Sequence, residues 1–184
     1  MIPSIQRHRL MFTFAIATLL AACGSSGGPA APLIVLTYAP VSGTSPSVTT
    51  ASGSGSTDSI AVVDIFVTDV LDVLSASFTL DFDRTTVAFL DFDTTGSHLG
   101  SDGATVQPIV QQTQTGQLTI GLTRLSATGI DFNGSHRLIS VRFTRSASSG
   151  MSTLAFGNTH LLDDMTPPQS IGGVQWFGGS FRID

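Results

Sequence analysis

The stretch Ser75-Ala-Ser-Phe-Thr-Leu-Asp-Phe-Asp83 alternates small or large apolar residues with polar ones without a break. Successive side chains of a β-strand point to opposite faces, so this alternation predicts a strand with one face in a core and the other in water. One-sided burial is typical of antiparallel sheets and favours an all-β fold. The inward set would be Ala76, Phe78, Leu80 and Phe82.

The same two-residue period occurs on both sides of this stretch. It predicts further strands with apolar faces at residues 61–67, 118–122 and 139–143, and at 88–92 with Ala88, Leu90 and Phe92 inward. Thr113-Gln114-Thr115-Gly116 separates two such runs and predicts a hairpin turn, with glycine where a positive φ is needed. Leu33 to Tyr38 predicts a first strand, and residues 42–59 predict a loop.

The composition also favours strands over helices. The chain has no lysine and no glutamate, both good helix formers, and it contains 19 glycines. Its formal net charge is −5, which leaves no basic patch for a nucleic acid. With one cysteine, no disulfide can form within the chain.

That cysteine, Cys23, follows Leu20-Ala-Ala and an apolar run over residues 10–20, which Arg7 and Arg9 precede. A basic start, a short apolar segment and small residues predict a secretory signal peptide. The cysteine position resembles the bacterial lipoprotein signal, which implies cleavage after residue 22 and a lipid on Cys23. An ordinary signal peptide is the alternative interpretation.

The predicted organisation has three parts. Residues 1–22 are the signal peptide, residues 23–32 are a Gly/Ser/Pro/Ala tether, and residues 33–184 are the folded domain. The expected location is the cell envelope, with the domain outside the cytoplasm. Gly24 after the lipidated cysteine favours the outer membrane if the cell has two membranes.

Several segments together resemble a cohesin domain, the module of cellulosome scaffolds that receives dockerin-bearing enzymes. The resemblance covers residues 33–184 and implies a jelly-roll β-sandwich of about nine strands with no substantial helix. It also implies a non-catalytic, envelope-anchored binding module with a dockerin-like protein partner, in polysaccharide catabolism. The segments are residues 61–70, 75–87, 116–122, 136–143, 152–156, 161–164 and 178–183.

The resemblance places the partner surface on the polar face of the first stretch, at Ser75, Ser77, Thr79 and Asp81. Cellulosomal members often carry an asparagine and an aspartate there, and Ser75 and Ser77 take their places. The family's Tyr-Asp-Pro is Phe82-Asp-Arg in this chain, without the proline that presets a turn.

Cohesins are structurally akin to a group of carbohydrate-binding modules, so the alternative function is a carbohydrate-binding module at the cell surface. The residue for stacking on a sugar would be Trp176, the lone tryptophan. The competing interpretation is that Trp176 covers one end of the core.

The sequence gives little support for catalysis or for metal binding. The pairs Asp81/Asp83 and Asp91/Asp93 each place two carboxylates on one strand face, but a calcium site normally needs 6–8 oxygen ligands. His98, His136 and His160 lack the spacing of metal ligands, and no Gly-x-Ser-x-Gly motif occurs. We therefore expect no cofactor, no metal and no enzymatic activity.

Overall fold

Two β-sheets face each other across an apolar core in the computed structural model, which describes residues 33–112 and 116–184. The predicted signal peptide, Cys23, the tether and turn residues 113–115 lie outside the described residues. Within those ranges, no helix has the length and apolar character needed to cross a membrane. The prediction of an all-β sandwich without substantial helix is confirmed.

The described residues form eleven strands rather than the nine expected, and one short 3₁₀ helix at His98–Gly100. Six strands form one sheet in the order β1-β11-β9-β4-β7-β6, and five form the other in the order β10-β2-β3-β8-β5. The strands are β1 (Leu36–Pro40), β2 (Ser47–Ser52), β3 (Ile60–Val73), β4 (Ser75–Asp81), β5 (Val87–Asp93), β6 (Thr105–Gln112), β7 (Gln117–Leu125), β8 (Ile130–Arg145), β9 (Gly150–Leu162), β10 (Gln175–Trp176) and β11 (Gly179–Ile183).

The first stretch becomes β4, in the middle of the six-stranded sheet. It pairs antiparallel with β7 on one side and β9 on the other. All four of its predicted inward residues are buried, as are the predicted inward residues of β3, β7 and β8. The alternation therefore assigns the core correctly in these four central strands.

Phe143 of β8 lies at the centre of an aromatic cluster that joins the two sheets. Its ring centroid is 5.2 Å from that of Phe82, 6.5 Å from Phe89 and 4.9 Å from Phe181. These partners come from the end of β4, from β5 and from β11, so a single side chain contacts elements of both sheets. Inclined rings at such distances add to the area they bury.

β2 lies within residues 42–59, which we predicted to be a loop. Its composition is Ser-Val-Thr-Thr-Ala-Ser, but it pairs antiparallel with β3, and Val48 and Thr50 are buried. The Thr50 hydroxyl accepts from the Tyr38 hydroxyl at 2.7 Å and donates to the Gly178 carbonyl at 2.8 Å. Hydrogen bonds thus satisfy the buried hydroxyl of a strand whose composition alone predicts a loop.

β5 does not follow the alternation that we predicted for it. Val87 is fully buried, whereas Leu90 is 47% exposed and Phe92 is 37% exposed. A register shift in its pairing with β8 lies between Phe89 and Asp91, and β5 is an edge strand. A bulge changes the phase of the alternation, and an edge strand leaves side chains uncovered.

The turn after β4 forms without a proline. Asp83 Oδ1 accepts hydrogen bonds from the Thr85 N–H at 2.8 Å and from the Thr85 hydroxyl at 2.7 Å. These hydrogen bonds lower the pKa of Asp83. An aspartate side chain that closes a turn on its own backbone replaces the fixed φ of proline.

The two sheets end in different ways. The six-stranded sheet ends at β6, whose Pro108 lies opposite Leu122 of β7. Proline has no N–H to donate, so it is tolerated in an edge strand and not in a central one. The five-stranded sheet ends at β5 on one side and at the two-residue β10 on the other.

Arg124 of β7 fastens the 94–104 segment to the end of the sandwich. Its side chain is 1% exposed, and it donates to Asp102 Oδ2 at 2.6 Å and to the Leu99 carbonyl at 3.3 Å. Leu99 is itself fully buried. The hydrogen bond from Arg124 is the main reason that the pKa of Asp102 lies below its ordinary value, followed by a backbone hydrogen bond from Ala104.

Asp102→Asn is expected to lower the melting temperature at pH 7, because it leaves a buried guanidinium without its counter-charge. A carboxyl whose pKa is lower in the folded state stabilises the fold above its unfolded pKa, and this contribution is lost as the pH falls through the folded pKa. Thermal unfolding from pH 7 down to about pH 3 checks this, since the two proteins should converge as the pH passes below about 4. A gap that stays constant with pH would contradict it.

Candidate partner-binding face

The outer face of the six-stranded sheet is built mainly from β9, β4, β7 and β6. The register brings Ser77 of β4 opposite Gly121 of β7 and His160 of β9, and Gly121 opposite Ile109 of β6. These residues alternate with the buried core residues of the same strands. The result is a broad sheet surface of small, hydroxyl and amide side chains.

The predicted partner residues lie together on this face. Ser77 is exposed and Ser75 is half-buried. Asp81 is exposed, and its Oδ1 accepts from Gln117 Nε2 at 2.7 Å, which links β4 to β7. Three of the four residues are thus within reach of a partner.

Thr79, the fourth predicted residue, is only 5% exposed, and its hydroxyl has no hydrogen-bond partner among the described residues. It lies opposite Gly157 of β9, where an added Cβ would be 2.7 Å from Thr79 Oγ1. The hydroxyl is therefore covered by its own sheet and is not presented at the surface. Position on the outer face of a central strand does not by itself ensure exposure.

A β-bulge interrupts β9 beside Ser77. Thr79 pairs with Gly157 and Ser77 pairs with His160, so Asn158 and Thr159 together lie opposite Phe78. Asn158 takes a positive φ of 46° and is exposed. Such bulges change the direction of side chains and are common next to functional sites. The sequence contains no pattern that predicts this one.

Two exposed apolar side chains flank the polar centre of the face. Ile109 of β6 is 58% exposed, and its Cβ would be 3.8 Å from a Cβ added at Gly121. Leu125 at the end of β7 is 61% exposed. Ile109 therefore lies next to Gly121, which separates it from Ser77 on the same face, and it gives the face a raised apolar side chain that a partner could cover.

Trp176 lies at the opening between the sheets and is half-buried. Its ring centroid is 5.5 Å from that of Phe78 and 5.2 Å from that of Phe156. One part of the ring therefore covers the core, and the rest borders a surface depression with Phe156 and Phe177. Its role in stacking on a sugar stays a prediction.

The paired carboxylates considered for calcium each have protein partners. Asp83 accepts from Thr85, Asp91 pairs with Arg142, and the Asp93 carboxylate accepts from the Thr95 N–H at 2.8 Å. Across residues 33–112 and 116–184, no group of three or more histidines, cysteines or acidic residues is placed to hold a metal ion.

The fold brings His98 and His136 together, which their sequence separation did not indicate. Their rings stack with centroids 4.0 Å apart and planes 12° from parallel. Each Nε2 donates to a backbone carbonyl, of Asp131 for His98 and of Asn133 for His136. The pair holds the short 3₁₀ helix against β8, a structural role.

No protein-family model matches the chain, and no curated protein matches it. Solved structures do resemble it. A non-cellulosomal cohesin from the archaeon Archaeoglobus fulgidus is 17% identical, with a TM-score of 0.51 over 72% of this chain and 88% of that one.

Two cohesins of Acetivibrio cellulolyticus are similar as well. The second type II cohesin module of the adaptor ScaA scaffoldin is 14% identical, with a TM-score of 0.58 over 73% of this chain and 88% of that one. The sixth cohesin of scaffoldin B, solved in complex with a Cel5 dockerin mutant, is 14% identical, with a TM-score of 0.52 over 76% of this chain and 96% of that one. The chain therefore has the β-sandwich fold of cohesin modules.

Proposed function

We propose that this protein is a non-catalytic binding module that holds a dockerin-like protein on the outer face of its six-stranded sheet. Its fold is that of cohesins, and one of the similar structures is a cohesin bound to a dockerin. The observation that carries the proposal is the face itself. Exposed Ser77 lies at its centre, between β7 and β9, with exposed Ile109 on the neighbouring edge strand.

This face suits binding by shape complementarity. Its centre has small side chains at Ser77, Gly121 and Gly157, which let a partner helix or loop approach the sheet closely. Ile109 supplies the apolar side chain that a partner would remove from water. A buried apolar anchor inside a polar surround is the usual arrangement of an interface hot spot.

The attachment to the cell envelope also belongs to the proposal. The basic, apolar and small-residue order before Cys23 supports a lipid anchor, and the small-residue segment after it supports a tether of about 10 residues. Together they would hold the binding face away from the membrane. A role in polysaccharide catabolism follows from this arrangement if the partner is a dockerin-bearing enzyme.

Ser77→Arg is expected to weaken partner binding at least about 30-fold, because it places a long charged side chain at the centre of the face. Purified protein would be titrated with dockerin modules from the same genome in a calorimeter. Ser135→Arg is the matched control: Ser135 is an exposed strand serine on the five-stranded sheet, opposite Thr68. It should bind like the wild type.

Both variants should keep the wild-type melting temperature within about 2 °C, since surface changes of this kind cost little stability. Equal weakening by the two variants would show that binding does not use this face. Absence of micromolar binding to every dockerin tested would overturn the proposed partner class.

A further inference from the structure

A second surface feature lies on the opposite side of the molecule, on the outer face of the five-stranded sheet. It is a depression of about 230 Å³, enough for one small polar molecule. Charged and polar side chains from three strands line it: Asp64 of β3, Arg137, Ser140 and Arg142 of β8, and Asp93 of β5. The proposed partner face does not include any of these residues.

The wall of the depression is the 53–56 loop between β2 and β3. A Cβ added at Gly53 would be 2.6 Å from Val62 Cγ1 and 2.9 Å from the Asp64 carboxyl. Glycine at position 53 therefore lets the loop lie closer to the sheet than a residue with a side chain would. Gly55 turns the chain with a φ of 90°. Val62 is 6% exposed and gives the depression an apolar patch.

The acids and bases of the depression alternate across the sheet. Asp64 and Asp93 are the register neighbours of Ser140 on its two sides, and the Ser140 hydroxyl donates to Asp64. Arg137 Nη1 lies 4.0 Å from Asp64 Oδ1, beyond hydrogen-bond distance. The Asp64 side chain is only 14% exposed.

Arg142 completes the row from the same strand. It makes a two-point ion pair with Asp91, with Nη2 at 2.6 Å from Oδ2. Hydrogen bonds from Thr95 lower the pKa of Asp93, and the charges of Arg137 and Arg142 add to this effect. Asp93 is therefore a carboxylate at neutral pH, so the site offers fixed acceptors beside fixed donors.

These groups define the chemistry of a ligand. Asp64 and Asp93 balance the two guanidinium groups, and Asp91 beside them pairs with Arg142, so the site has no excess positive charge for an anion. The arginines disfavour a metal ion. A neutral sugar has adjacent hydroxyls, each of which donates and accepts, and an apolar C–H face.

Arg142 binds Asp91 through Nε and Nη2, which leaves Nη1 for a sugar hydroxyl. Arg137 Nη2 donates to the Thr95 carbonyl, which leaves Nη1 facing Asp64. Val62 can meet the C–H face.

We propose that this depression binds one neutral sugar residue of a glycan through its adjacent hydroxyls. Asp64 and Asp93 accept hydrogen bonds from the sugar, and Arg137 and Arg142 donate to it. The 53–56 loop fixes the orientation of the sugar. Because the site is on the other sheet, a glycan and a protein partner would bind at the same time.

The test is a titration of the full-length protein with neutral oligosaccharides of glucose, xylose, mannose and galactose. An oligogalacturonide serves as the acidic comparison. Binding is followed by calorimetry and by the NMR signals of the arginine Nε–H groups. Saturable binding of at least one neutral sugar should shift the Arg137 and Arg142 signals. Asp93→Asn and Arg142→Gln should each weaken it about tenfold or more, the effect of losing a charged hydrogen bond.

Arg182→Gln is the matched control, because Arg182 forms an exposed ion pair with Asp184 on the other sheet. It should leave the sugar affinity unchanged. No saturable binding, preference for the acidic oligomer, or loss of binding through Trp176→Ala and not through Arg142→Gln would overturn the proposal. Dockerin binding measured on the same variants keeps this outcome separate from that of the partner-binding face.

Discussion

Phe143→Ala is expected to lower the free energy of unfolding by about 3–5 kcal/mol. The side chain is fully buried and contacts Phe82, Phe89 and Phe181, so its removal leaves a cavity between the two sheets. Phe181 belongs to β11, which is held between β1 and β9, so it cannot move in to fill the space. Such a loss is a large fraction of the stability of an ordinary domain, about 5–15 kcal/mol.

Chemical denaturation followed by Trp176 fluorescence measures the effect as a lower midpoint at an unchanged slope. Phe92→Ala is the control, since Phe92 is 37% exposed on the neighbouring edge strand. It should cost less than about 1 kcal/mol. Equal losses in the two variants would mean that Phe143 does not join the sheets as described.

Gly178→Ala is expected to destabilise the fold by about 3 kcal/mol or more, because the new methyl group overlaps with backbone. A Cβ there would be 1.9 Å from the Leu154 carbonyl oxygen, and that carbonyl belongs to β9. The Gly178 carbonyl also accepts from the Thr50 hydroxyl, to which the buried Tyr38 hydroxyl donates. Moving residue 178 to relieve the overlap would break this chain of hydrogen bonds.

Burial raises the pKa of Tyr38 to about 12, so ionisation of this tyrosine reports on the same region. Because burial is the main cause of this raised pKa, local opening around residue 178 should let Tyr38 ionise at a lower pH in Gly178→Ala, which absorbance titration measures. Gly172→Ala is the control: no atom lies within 4 Å of its added Cβ. Its stability should change by no more than about 0.5 kcal/mol. If the two alanine variants are equally stable, the close approach at Gly178 is wrong.

Three central strands could be predicted well from the sequence. In β4, β7 and β8, every second side chain faces a packed sheet, so a period of two in the residues corresponds directly to burial. Phe78, Ile120 and Val141 were all assigned correctly on that basis. The signal is local, and a single chain segment contains all of it.

β2 and β5 could not be predicted in the same way, for different reasons. In β2, the buried Thr50 is stabilised by hydrogen bonds to Tyr38 and Gly178, which lie 12 and 128 positions away along the chain. In β5, Val87 is buried ahead of the bulge at Phe89–Asp91, and the bulge shifts the phase of the alternation after it. Tertiary contacts determine that β2 is a strand, and a register shift alters which residues of β5 are buried. Neither effect can be recognised in the local composition.

The candidate sites show the same division. The polar face of β4 can be predicted from the alternation of its residues. The burial of Thr79 depends on its pairing with Gly157, which lies 78 positions further along the chain. The charged depression combines residues of β3, β5 and β8. No spacing rule brings Asp64, Asp93 and Arg142 together, because their proximity is created by the pairing of strands.

Pro108 in the edge strand β6 has a consequence for how copies of the protein meet. An uncovered strand edge can template the addition of a strand from another molecule, the first step toward fibrils. β6 borders the proposed partner face, so a partner needs this side of the molecule open. A residue without an N–H interrupts the ladder that an incoming strand would extend. The edge beside the proposed partner face can thus stay open to a partner while Pro108 hinders the addition of a strand from another copy.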